Sequence, residues 1–156
     1  MTESSQIHDA RALFDRERHG TLCTASADHE GWPYGSLVPY APLPGGDVVV
    51  VISTLAEHTR NVLKEPRVTL LVADSAASER PWTAARLSVM ARAERLEGAA
   101  RGEALAAYFE RFPSSRTIAS MPDFAPWRLR VEQVRWVGGF ANAAWIDREP
   151  WADASR

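Results

Sequence analysis

The chain has 156 residues, 46% of them hydrophobic and 24% charged, with a formal net charge of −2. That balance fits one globular domain large enough to bury a core without disulfides or metal, and it offers no general attraction to a polyphosphate. Nucleic acid is therefore excluded as an expected partner, the more so because the basic residues are scattered and Lys64 is the only lysine.

Ile7, Ala10, Leu13 and Phe14 recur at helical spacing, so about residues 5–18 read as an amphipathic helix ended by Gly20. A short strand over residues 21–26, turn chemistry at Asp28-His29-Glu30-Gly31 and a second extended segment from Pro33 to Tyr40 form a hairpin. The lone Cys23 sits in an apolar run and reads as a small buried hydrophobe. After the turn Pro44-Gly45-Gly46-Asp47, the unbroken run Val48-Val49-Val50-Val51-Ile52 predicts a strand covered on both faces.

Thr54-Leu55-Ala56-Glu57 has capping-box spacing and predicts the start of a helix that Pro66 ends. Val68 to Val72 is a further strand, and Leu87, Val89, Ala91 and Ala93 alternate with polar residues in a long strand with one wet face. Leu105, Tyr108, Phe109 and Phe112 mark another amphipathic helix, stopped by Pro113, and residues 114–126 are irregular or briefly helical. In the last strand Leu129 and Val131 have one parity and Val134 and Trp136 the other, which predicts a bulge near Glu132-Gln133. Gly138-Gly139 ends that segment, and the tail from Asp147 is polar apart from Trp151.

This order implies a mainly β fold with flanking helices: one domain, residues 1–156 with its core at about 10–145, whose six or so antiparallel strands close into a barrel. The N-terminal Met1-Thr2-Glu3-Ser4-Ser5-Gln6 lacks the basic start and apolar stretch of a secretory signal, and no run reaches the ~18 apolar residues of a membrane span, so the chain is expected to be cytoplasmic, without a membrane partner.

There is no GxGxxG, Walker, HExxH or CxxC motif, and His8, His19, His29 and His58 have no metal-ligand spacing among themselves, so no metal site is expected. The informative stretch runs from Ser53 through His58-Thr59-Arg60-Asn61. It places hydroxyls, a helix N-terminus and a guanidinium together, which suits a phosphate monoester; a solvated, capped helix is the alternative reading. His58 has an ordinary pKa near neutrality, but its neighbours favour phosphate contact or capping over proton transfer. The second stretch, Gly31-Trp32-Pro33-Tyr34-Gly35-Ser36-Leu37-Val38-Pro39-Tyr40, offers backbone edges and flat rings to a planar ligand, or else a small aromatic core.

Six segments, in order, resemble the FMN-binding split-barrel family of pyridoxamine 5'-phosphate oxidase relatives, in particular the branch containing haem-utilisation proteins. They are Ala10-Arg11-Ala12-Leu13 with Gly20-Thr21-Leu22, Tyr34 to Tyr40, Ser53 to Asn61, Glu65 to Leu71, Ala85-Arg86-Leu87-Ser88 and Gly138-Gly139-Phe140. The resemblance implies a six-stranded, Greek-key-like antiparallel barrel that forms a homodimer with FMN in two clefts between subunits. It places the phosphate by Ser53 and His58-Thr59-Arg60-Asn61, with Ser36, Leu37, Val38 and Tyr40 along the cofactor. The implied function is a flavin-dependent oxidoreductase acting on an unidentified small molecule, with no catalytic residue assigned. The alternatives are a non-catalytic module binding haem or a partner, and a deazaflavin-dependent reductase. Six tryptophans in so short a chain are many for a small barrel core, and they point to an aromatic interface between subunits.

Overall fold

The computed structural model describes residues 2–77 and 79–155. Ala10, Leu13 and Phe14 form the buried face of α1 (Glu3–Arg16), whose N-cap Thr2 accepts the Ser5 N–H at 3.3 Å. Gly20 is not the helix stop that its position suggested. It lies inside β1 (His19–Ala25), where a Cβ would stand 2.7 Å from the Leu71 carbonyl oxygen, so the glycine permits close strand packing.

β1 pairs with β2 (Pro33–Pro39) as the expected hairpin, with Cys23 opposite Gly35 and Ala25 opposite Pro33. Its turn passes through Glu30 and Gly31 with φ of 52° and 78°. Tyr40 then leads into β3 (Ala41–Pro42), a single helical turn at Pro44–Gly46, and β4 (Val48–Ser53). As its apolar run predicted, β4 is covered on both sides: Val48, Val50 and Ile52 face one core cluster, Val49 and Val51 a second.

α2 (Glu57–Lys64) follows, then β5 (Arg67–Ala73), β6 (Arg86–Arg95), α3 (Gly98–Arg111) and the short α4 (Arg116–Ala119). β7 (Phe124–Val137) contains the expected bulge. Met90 opposes Gln133 and Ala91 opposes Val131, which leaves Glu132 as the extra residue and returns Val134 and Trp136 to the core. The chain ends in β8 (Ala143–Asp147) and α5 (Arg148–Asp153) among the described residues.

All strand pairs are antiparallel, in the order β2-β1-β5-β6-β7-β4-β3, with β8 added to β7. The sheet has eight strands rather than six, the additions being the two-residue β3 and β8, which starts beyond the glycines taken as the end of the last strand. It curls so that β2 also approaches β4, giving a half-open barrel flanked by helices. No helix among the described residues is long and apolar enough to cross a membrane.

The segment after Asp147 is more than the polar tail its composition suggested. α5 buries Trp151 completely: the ring meets Phe14 edge-on at 5.3 Å, and Nε1 donates to the Gly46 carbonyl at 2.9 Å. The Arg11 guanidinium lies over the same ring at 4.4 Å. A six-residue helix is too short to show a helical period, so one tryptophan was its only mark.

Candidate functional site

The stretch expected to hold a phosphate folds differently from a capping box. The Thr54 N–H donates to the Asp123 carbonyl at 2.7 Å and the Leu55 N–H to the Ser53 hydroxyl at 3.1 Å, so this segment makes a turn of its own. α2 therefore begins at Glu57, with Ala56 as an N-cap that makes no side-chain hydrogen bond. Glu57, expected to reach back to the cap, instead pairs with Arg60.

Three of the residues in this stretch have internal partners. The Ser53 hydroxyl donates to the Asp123 carboxylate at 3.0 Å, and the Thr59 hydroxyl, buried, donates to the Ser53 carbonyl at 2.6 Å. Asn61 is fully buried: Nδ2 donates to the Thr24 hydroxyl at 2.9 Å, and Oδ1 accepts the Ala27 N–H at 2.8 Å. Arg60, at the surface, bonds Asp28 at 3.2 Å, and Lys64 Nζ donates to the Ala27 carbonyl at 3.2 Å. Asn61, Arg60 and Lys64 thus fasten the tip of the β1–β2 hairpin to α2.

Beside that tip lies a cleft of about 620 Å³, lined by Asp28, His29, Glu30, Trp32, Pro33 and Tyr34 among others. Trp32 is 72% exposed and Tyr34 39%, so their rings belong to the cleft and not to a small aromatic core. The turn is rigidly built: the His29 N–H donates to the Ser26 hydroxyl at 3.1 Å, and the Trp32 N–H to the His29 carbonyl at 3.0 Å. Turn chemistry was visible at Asp28 to Gly31, but its part in a cleft was not. A histidine between two carboxylates, followed by Trp-Pro-Tyr, was the available signal.

The remaining candidates on and after β2 diverge. Ser36 is half-buried opposite Leu22, and Leu37 is exposed on the outer face opposite Thr21. Val38 and Tyr40 place their side chains in the core. The Tyr40 hydroxyl donates to the Phe14 carbonyl at 2.6 Å, and burial pushes its pKa well up. His58 keeps Nε2 buried without a hydrogen-bond partner among the described residues, and burial lowers its pKa, which favours the neutral ring. Cys23 is half-buried on the outward side of β1 rather than a core hydrophobe, with its thiol pKa raised by desolvation.

The outer face of the sheet carries one continuous row across six strands: Leu37, Thr21, Leu71, Ser88, Arg135 and Trp145. Leu37 is 72% and Trp145 54% exposed, so the row begins and ends in uncovered apolar side chains.

Known proteins resemble the chain over nearly its whole length. Non-canonical heme oxygenase HOZ of the Arabidopsis thaliana chloroplast is 28% identical over 139 residues, covering 89% of this chain and 42% of the relative. Heme oxygenase HutZ of Vibrio cholerae is 28% identical over 142 residues, 88% of this chain and 80% of HutZ. The solved heme binding protein from Mycobacterium smegmatis superposes with a TM-score of 0.85 at 31% identity, over 98% of this chain and 61% of that one. The chain thus spans less than half of the plant relative and under two thirds of the mycobacterial one. Its curled sheet is the split barrel also found in the pyridoxine-phosphate oxidase group. With the family described as CREG, beta-barrel, matching residues 2–153, the chain belongs to that CREG beta-barrel family.

Proposed function

We propose that the chain binds haem in the cleft beside the β1–β2 hairpin, as one half of a homodimer in the cytoplasm. The observation that carries this reading is the cleft itself, about 620 Å³ walled by Trp32, Pro33 and Tyr34. Flat aromatic walls suit a tetrapyrrole, and Lys64, held near the tip by the Ala27 carbonyl, carries a cation that suits a carboxylate. Relatives named as heme oxygenases and a heme binding protein support the same ligand class. When bound, haem would supply a redox-active iron; the chain's own residues bind and orient the ring and exclude water from one face. A second copy would cover the outer row from Leu37 to Trp145.

FMN, with flavin-dependent oxidoreduction of a small molecule, is the second reading. One observation favours it: α2 has no side-chain cap, so its first two N–H groups, of Glu57 and His58, have no partner among the described residues and suit an anion. Against it, Thr59 and Asn61 are committed to Ser53, Thr24 and Ala27, and Arg60 would have to leave Asp28 and Glu57. A deazaflavin has less support still, since no extended basic rim lines the cleft. Purified protein titrated with ferric haem and, separately, with FMN decides between them. A Soret change saturating at one equivalent supports haem; FMN fluorescence quenching without a Soret change supports the flavin and sinks the haem reading.

A further inference from the structure

We infer that the imidazole of His29 is the protein's donor to the haem iron, an inference that rests on the haem reading above. A haem iron needs one good protein donor, and a neutral imidazole nitrogen is a common one. The four histidines of the chain stand in different surroundings. His8 lies in a groove between α1 and α5 with Glu3, Ile7 and Pro150, without an aromatic wall. His19 is exposed at the first residue of β1, in none of the clefts described. His58 keeps its Nε2 buried within the fold. His29 alone shares a cleft with aromatic rings, Trp32 and Tyr34, and it is exposed there.

The main chain that carries His29 is held from both sides. Its N–H is bonded to Ser26 and its carbonyl to Trp32, while Asn61 and Lys64 grip the preceding Ala27. A donor on such a turn is positioned before the ligand arrives, so little ordering entropy is lost on binding. Asp28 and Glu30 line the same cleft. Asp28 is engaged by Arg60, whereas Glu30 has no hydrogen bond or ion pair among the described residues and is free to accept from the imidazole's other N–H. Such an acceptor orients a ligating imidazole and strengthens it as a donor.

The test uses the full chain titrated with ferric haem, read by absorption and electron paramagnetic resonance. His29→Ala should weaken haem by about tenfold or more and shift the Soret band, and free imidazole should restore the band to its parental position. His8→Ala and His19→Ala, both away from the cleft, should keep the parental spectrum. Circular dichroism of His29→Ala should match the parent, because the residue is exposed on a turn. A parental spectrum and affinity in His29→Ala, or a shift caused by His8→Ala or His19→Ala instead, overturns the assignment and leaves the haem reading standing. A parent chain that gives no Soret change overturns both.

Discussion

Asn61 on α2 and Thr24 on β1 are joined by a buried hydrogen bond of 2.9 Å, and the other end of the same carboxamide accepts the Ala27 N–H. One side chain therefore ties the helix to the hairpin that bears the cleft. Asn61→Ala would leave the Ala27 N–H without its acceptor and the Thr24 hydroxyl with only its bond to the Tyr34 carbonyl, and an unpaired buried group costs about 1–3 kcal/mol. Urea unfolding should show a loss in that range, and ligand affinity should fall with it because the tip loosens. An unchanged unfolding midpoint would mean that α2 does not hold the hairpin.

Arg60 offers a contrasting test, because its bonds to Asp28 and Glu57 lie in half-exposed surroundings. Arg60→Ala should change stability by only about 0–1 kcal/mol. If FMN is the ligand, the same substitution should weaken it roughly ten- to a hundredfold, the scale of a charged hydrogen bond, and weaken riboflavin little. Calorimetry with both flavins separates a phosphate contact from a ring contact.

Tyr40 sets an alkaline limit on stability. Its folded pKa is raised above the ordinary 10.0, chiefly by burial, so the native state keeps its proton where the unfolded chain has lost it. Stability from this group is complete below about pH 10 and declines as pH rises further, since the unfolded state then binds fewer protons. Tyr108 is shifted in the same direction by burial and adds to the slope. Tyr40→Phe should flatten the alkaline limb of a stability–pH curve, while costing about 1–3 kcal/mol at neutral pH because the Phe14 carbonyl loses its donor.

Trp151 makes α5 part of the core. Trp151→Ala should destabilise by about 3–5 kcal/mol, and Trp151→Phe by less, mainly through loss of the bond to the Gly46 carbonyl. Gly46→Ala attacks the same contact from the other side. The new Cβ would stand 2.8 Å from Trp151 Cδ1, on a residue with φ of 83°. Thermal unfolding of the three variants should rank Trp151→Ala well below Trp151→Phe.

Light scattering should report twice the chain mass if the outer row is a subunit interface. Leu37→Asp would set a charge at its exposed end and should give a monomer with the parental circular dichroism. A parent that is itself monomeric at micromolar concentration would remove the interface and any cofactor cleft that depends on it.

What the sequence made visible was whatever depends on near neighbours. Val48 to Ile52, the alternation from Leu87 to Ala93 and the parity change at Glu132 each carry their meaning within a few residues, and the structure has them as strands and a bulge. Roles set by distant partners were hidden. Gly20 reads as a helix stop until Leu71 lies against it, and the bond from the Asn61 amide to Thr24, 37 positions away, has no local mark. Of the candidate stretches, the extended aromatic segment and the helix were legible as elements, but the cleft at Asp28 and His29 depends on the hairpin folding onto α2.

Because alternate residues of β4 face two different clusters, that strand is a party wall between the cores beneath it. Neither side can open without exposing the other, so the two clusters should unfold as one cooperative unit. Amide hydrogens of Val49 and Val50 should then exchange with solvent at the same slow rate, set by global unfolding. Val49→Ala and Val50→Ala, on opposite faces, should each accelerate exchange on both sides.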